Sequence, residues 1–110
     1  MKYFIVNTER RGSYYHEFFK GKWDGKTFWK NDSIYLNDNI LSQLEIGSII
    51  LSVIPEYDPY GVTKVSEREW KAILNEAERI GGDAYTAILE ANEWVIDNFN
   101  THTVFTILGI

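Results

Sequence analysis

Two histidines, His16 and His102, are the only imidazoles in the 110 residues, and there is no cysteine. An imidazole offers general-base chemistry or a metal bond. Zinc needs three or four donors at recurring spacing, and no H-x-x-x-H or similar pattern is present. Without cysteine, disulfides, thiolate metal sites and thiol catalysis are excluded. None of the serines sits in a G-x-S-x-G elbow, and the glycines form neither G-x-G-x-x-G nor a phosphate loop. No cofactor and no metal is expected. His16 lies among aromatics and suits a structural role. His102, in the turn before the last apolar segment, is the one candidate base, and it would need Asp or Glu partners from elsewhere in the chain.

The carboxylates are more informative. Glu56, Tyr57, Asp58 and Tyr60 form one short stretch around Pro59 and Gly61. A glycosidase needs two carboxylates facing each other across a cleft, and a calcium loop needs oxygens at alternate positions with a closing Glu. The stretch meets neither pattern. It is either a solvated turn or a binding surface, since tyrosine beside carboxylate gives rigid contact area with charge. Glu90, Glu93 and Asp97 form a second set, sharing one side of the last helix.

Charge is unevenly placed. The chain has 11 basic and 16 acidic residues, net −5. Residues 1–30 carry seven of the basic ones against Glu9, Glu17 and Asp24, whereas no Lys or Arg lies between Asp32 and Thr63. Trp23, Phe28 and Trp29 interleave with Lys20, Lys22, Lys26 and Lys30, a composition that could stack bases. The net negative charge argues against nucleic acid, and those aromatics suit cross-strand pairs instead. The longest apolar runs are too short to cross a bilayer. The first residues are too short an apolar stretch for a signal peptide, so a cytoplasmic protein is expected.

The elements that must position these groups read as one domain, residues 1–110. Lys2–Thr8, Ser13–Lys20 and Ser33–Leu36 are strand-like, and Asp24-Gly25 predicts a type I′ hairpin turn. Asn37 or Asp38 caps a short helix through Leu44, which Gly47 stops. Ser48–Ile54 (SIILSVI) is β-branched and predicts a central strand ended by Pro55. Ser66-Glu67-Arg68-Glu69 is a capping box. It opens a helix with Trp70, Ile73, Leu74, Ala77 and Ile80 on one stripe. Gly81-Gly82 ends that helix. Asp83 then caps another to about Asn98, largely buried with one narrow acidic ridge. Thr103–Ile110 is a returning strand, placed to pair parallel with an early one.

The pattern is α+β: a mostly antiparallel sheet of about five to six strands, two main C-terminal helices packed on one face, and a returning C-terminal strand. Ser66-Glu67-Arg68-Glu69-Trp70, Gly81-Gly82, Asn92-Glu93-Trp94-Val95 and Phe105-Thr106-Ile107-Leu108-Gly109-Ile110 resemble small bacterial proteins similar to the immunity proteins of polymorphic or contact-delivered toxin systems. The resemblance covers about residues 55–110. It implies a non-enzymatic protein that blocks a partner, such as a basic toxin domain, by surface complementarity. Partner-binding residues are expected among Glu56, Tyr57, Asp58, Tyr60, Glu90, Glu93 and Asp97. A small enzyme with a scattered site, or a homo-oligomeric structural protein, remains open.

Overall fold

The computed structural model describes residues 1–110. Five strands form one sheet: β1 (Phe4–Val6), β2 (Tyr15–Lys20), β3 (Ile34–Asn37), β4 (Val62–Ser66) and β5 (Val104–Leu108). Four helices complete it: α1 (Asp38–Gln43), α2 (Ile46–Val53), α3 (Glu67–Ile80) and α4 (Gly82–Phe99). The strand order is β1-β3-β2-β5-β4, and every neighbouring pair is antiparallel. The fold is α+β. The returning β5 pairs antiparallel with both β2 and β4 rather than parallel with an early strand. Two helices, α3 and α4, pack against each other between β4 and β5, and the chain re-enters the sheet antiparallel to β4.

Alternation along the strands separates two faces. Phe4, Phe18, Ile34, Leu36, Val65, Phe105 and Ile107 turn to the helices and form the core with Trp70, Ile73, Ala77, Ile88 and Val95. Phe18 is the hub, its ring centroid 5.1 Å from Phe4 and 5.2 Å from Phe105. Each such aromatic pair adds about 0.5–1.5 kcal/mol beyond area burial. The capping box forms: Ser66 Oγ accepts from Glu69 N at 3.2 Å, and Glu69 Oε1 accepts from Ser66 N at 2.9 Å. Trp70 Nε1 then donates to Asn92 Oδ1 at 2.9 Å, tying α3 to α4.

Several local expectations are corrected. Ser48–Ile54 is helical, within α2 and its C-cap. Ile46, Ile49, Ile50 and Val53 recur at three and four, so one side of a helix buries them, while Leu51 is exposed. Gly47 lies inside that helix rather than ending one. Asp24-Gly25 is a turn without a hairpin: Asp24 Oδ1 accepts from Lys26 N and Thr27 N, and Gly25 has φ +84. Trp29 folds onto the second face of the sheet, 5.8 Å from Tyr35. In α4, the buried residues Ala84, Ala87, Ile88, Ala91, Val95 and Asn98 form a narrower stripe than expected, with Leu89 and Ile96 outside. Gly81, not Asp83, is the N-cap of α4.

Candidate functional site

The polar groups that converge do so at one end of the sheet, where β3 hands over to α1. Asn37 Oδ1 accepts from Asn39 N at 2.8 Å, starting α1 at Asp38. The first turn of a helix favours a carboxylate. Its Oδ1 lies 2.7 Å from Nε2 of His16, which β2 presents fully buried. An ionised carboxylate only accepts, so Nε2–H donates. The bond to His16 holds the Asp38 carboxyl below its ordinary value, and the Tyr14 hydroxyl adds to this. The same contact raises the Tyr14 phenol.

A His–Asp pair suggests a proton relay. Here the other ring nitrogen, Nδ1, is buried and touches no polar atom, so no reacting group can reach it. The pair orients α1 against the sheet. His102, the sequence candidate for a base, is exposed, has no carboxylate partner and lies over Gly21. No three His, Asp or Glu side chains are grouped to hold a metal ion.

Asp38 also lines a cleft of about 440 Å³ between α1, α2 and the loop that precedes β4. Glu45, Ser42, Ser48 and Leu51 line one wall; Tyr57, Pro59 and Tyr60 line the other. No Lys or Arg borders it. Glu45 connects α1 to α2 at φ 55, a left-handed backbone that a residue with a Cβ occupies at a cost of about 1–2 kcal/mol. Gly47 forms part of the floor, where an added Cβ would meet Leu41 at 3.3 Å and Tyr57 at 3.8 Å.

The far wall is rigid. Asp58 Oδ1 accepts from Tyr60 N at 2.9 Å, and Gly61 N donates to Asp58 O at 3.1 Å. Gly109 N donates to Gly61 O at 2.7 Å and Ile110 N to Pro59 O at 3.1 Å, sewing the loop to the end of β5. Gly109 is required there, since a Cβ would lie 2.2 Å from Pro59 O. Tyr60 stands on this braced loop with 76% of its surface exposed. It is shared with a second groove, of about 460 Å³, lined by Tyr14, Tyr15, Phe28, Trp29, Leu108 and Ile110 among others.

Comparison with protein-family models, curated proteins and solved structures returns no match.

The seven residues singled out in the sequence fall into two places. Tyr60 is exposed at the cleft, and Glu56 is exposed but not among the residues that line it. Asp58 is exposed, but one carboxylate oxygen is spent inside its own loop. Tyr57 is 7% exposed and belongs to the core, so it does not supply the outward contact area expected of it. Its hydroxyl, however, is buried without a partner. Burial, with the nearby Asp38 and Asp58 charges, pushes that phenol up to about 12. Glu90, Glu93 and Asp97 line a different depression, along α4 beside Met1 and Ile34. Glu90 accepts from the backbone N–H groups of Lys2, Tyr3 and Phe4 at 2.8–3.0 Å, and Asp97 pairs with Lys20 at 2.5 Å. Of that set Glu93 alone is exposed and uncommitted. Sequence reasoning missed Asp38, Glu45 and Tyr14 as site residues. Their signal was the Lys- and Arg-free span, which contains the first two.

Proposed function

We propose that the chain is a non-enzymatic binding protein that blocks a basic protein partner, an immunity-type inhibitor of a toxin domain, through the end that carries Asp38, Glu45, Tyr57 and Tyr60. One observation carries this reading: a cleft lined by two carboxylates and no cation adjoins an aromatic groove, with an exposed Tyr60 on the ridge between them. A toxin that acts on nucleic acid needs a basic site to bind phosphates. An acidic, tyrosine-rich surface steers such a partner in and covers that site. The bracing of the Tyr60 loop lowers the ordering cost of binding. The strained Glu45 supports the same end of the molecule, since backbone strain concentrates where function holds it.

The test is co-expression with the product of a neighbouring toxin gene. The parent chain should restore growth and co-purify with the toxin. The double variant Glu45→Gln, Tyr60→Ala should keep its fold by circular dichroism and lose protection. Full protection by that folded variant would remove this surface from the inhibitor's interface.

A further inference from the structure

We infer that the free edge of β4 is where a second copy of this chain docks, pairing β4 with β4 antiparallel about a two-fold axis at Thr63. This docking is independent of the toxin reading, since Val62 and Lys64 border neither the cleft nor the aromatic groove. Hydrogen-bond phase carries it. The sheet has its edges at β1 and β4. The β1 edge is closed: Phe4 N donates to Glu90 Oε1 at 3.0 Å and Val6 N to Glu9 Oε1 at 3.1 Å. On β4 the phase is set by Gly109 N, which donates to Gly61 O at 2.7 Å. Alternate residues of an antiparallel strand turn both backbone groups to the same side. Gly61, Thr63 and Val65 therefore turn theirs to β5, and Val62, Lys64 and Ser66 turn theirs outward. Ser66 N is taken by Glu69 Oε1 at 2.9 Å, and Tyr60 N, next in phase on the other side, by Asp58 Oδ1. Val62 and Lys64 are left, on exposed positions, with N–H and C=O groups that nothing in the chain uses.

Only one symmetric register uses free groups alone. Centring on Lys64 sets like charges face to face, which destabilises a pair, and it needs Ser66 N; centring on Val62 needs Tyr60 N. Centring on Thr63 sets Val62 of each copy opposite Lys64 of the other, so both residues satisfy their N–H and C=O together. The lysine that guards the edge against like pairing then lies beside an apolar neighbour, its stem over Val62, which is 50% exposed alone. Its ammonium is one diagonal step from Tyr60 of the other copy, within reach of that ring. Charge is self-complementary in the same direction. Glu56 and Asp58 precede the strand, Lys64 and Arg68 come at its middle and beyond, and all are exposed and outside any ion pair. Antiparallel pairing runs the acids of one copy along the cations of the other, while Glu69 is spent on its cap. An extended segment of a basic partner would instead meet Lys64 with like charge. The contact is isologous and closes at two copies. A ladder so short belongs with small, transient interfaces, under about 1,200 Å² in total, so the dimer is weak and concentration-dependent.

Sedimentation velocity of the full chain from about 10 μM to about 1 mM tests this, since oligomerisation follows mass action. The weight-average mass should rise from 12.8 kDa toward twice that value and no further. Across the same range, amide exchange read by NMR should slow about threefold or more at Val62 and Lys64, whose opening the second copy blocks. It should stay constant at Thr63 and Val65, which bond β5 in monomer and dimer alike. Lys64→Pro removes an outward donor and leaves the β4–β5 ladder whole, because an edge tolerates proline where its N–H faces solvent. That variant should stay monomeric throughout. Lys64→Glu keeps every backbone donor and sets another acid beside Glu56 and Asp58 of the other copy, so it should raise the dimer Kd about tenfold even if the proline variant fails to fold. Glu93→Gln, on α4, should leave the Kd unchanged. A chain monomeric at every concentration, masses beyond the dimer, parental association by Lys64→Glu, or protection centred on other residues would each overturn the edge dimer. Protection of Val62 and Lys64 that appears only on adding a basic partner protein hands the edge to that partner, and overturns it too.

Discussion

Two kinds of carboxylate occupy this molecule, and they do opposite work. Glu17 and Glu90 face inward on the chain's own backbone. Glu17 is 1% exposed and accepts from Trp29 N at 2.7 Å, Lys30 N at 3.0 Å and Ser33 Oγ at 2.6 Å. It fastens the loop between β2 and β3 over the second face of the sheet. Glu90 does the same from α4 for the edge strand β1. Glu45 faces a cleft instead, and no Lys or Arg of this chain borders it, while Asp38 lines the same cleft and also accepts from His16. Negative charge in a sequence is therefore no measure of charge offered to a partner. What decides is whether the chain's own N–H groups already use it.

The largest expected effect tests the first half of that contrast. Glu17→Ala leaves two backbone donors and a hydroxyl without their acceptor under a folded loop. Stability should fall by about 3 kcal/mol or more, read by chemical denaturation. A loss under about 1 kcal/mol would mean that water replaces the carboxylate and that the loop is not fastened by it. Glu90→Ala should cost less, about 2 kcal/mol, because β1 lies at the sheet edge and its donors are closer to solvent. Amide exchange at Tyr3 and Phe4 should accelerate with it. Unchanged protection there would place the anchoring of β1 in its pairing with β3 alone.

Asp38 belongs to both halves, since it bonds His16 and also lines the cleft. Asp38→Asn should cost about 1–2 kcal/mol at pH 7 through the weaker bond to His16. The sign of its pH dependence follows from the depressed carboxyl. A group whose pKa is lower when folded contributes stability above its unfolded value, and that contribution is lost as pH falls through the folded value. Between pH 5 and pH 2 the parent should therefore lose stability more steeply than Asp38→Asn. Parallel profiles would show that the His16 bond is not what depresses the carboxyl.

These contrasts also mark what the sequence discloses. The α3 start was legible to the residue, because Ser66 and Glu69 satisfy each other's backbone within four positions. Strands β1, β2, β3 and β5 were legible from dense aromatic and β-branched residues. Ser48–Ile54 was not, because a short apolar run fits strand and helix alike. The helical spacing of Ile46, Ile49, Ile50 and Val53 was the signal that decides it. Strand β4 escaped notice since Val62-Thr63-Lys64-Val65 is short, polar at alternate positions and borders a cap. At the cleft, Tyr60 was legible as an exposed aromatic from composition, while Glu56 is exposed but does not line the cleft. The burial of Tyr57 and the commitment of Glu90 were not, since both depend on contacts that span the whole chain: Glu90 meets Lys2, Tyr3 and Phe4, 86 to 88 positions away.

The smallest expected effect on stability is the sharpest on function. Glu45 holds a left-handed backbone at φ 55, where glycine is unstrained. Glu45→Gly relieves that strain and loses backbone order in the unfolded chain, two terms of about 1 kcal/mol each and opposite sign. The unfolding midpoint should stay level or rise slightly. Binding should still weaken, because the carboxylate at the cleft is gone. Glu45→Gln keeps the side chain and the strain, so it separates charge from geometry. Both variants should slow association with a basic partner and flatten its dependence on salt, since steering scales with the charge removed. Glu93→Gln, exposed on α4 and equally free of partners, is the matched control and should alter neither stability nor association. If Glu93→Gln slows association while Glu45→Gly and Glu45→Gln do not, the partner meets α4. The cleft would then be the second acidic surface of this molecule with no partner to receive.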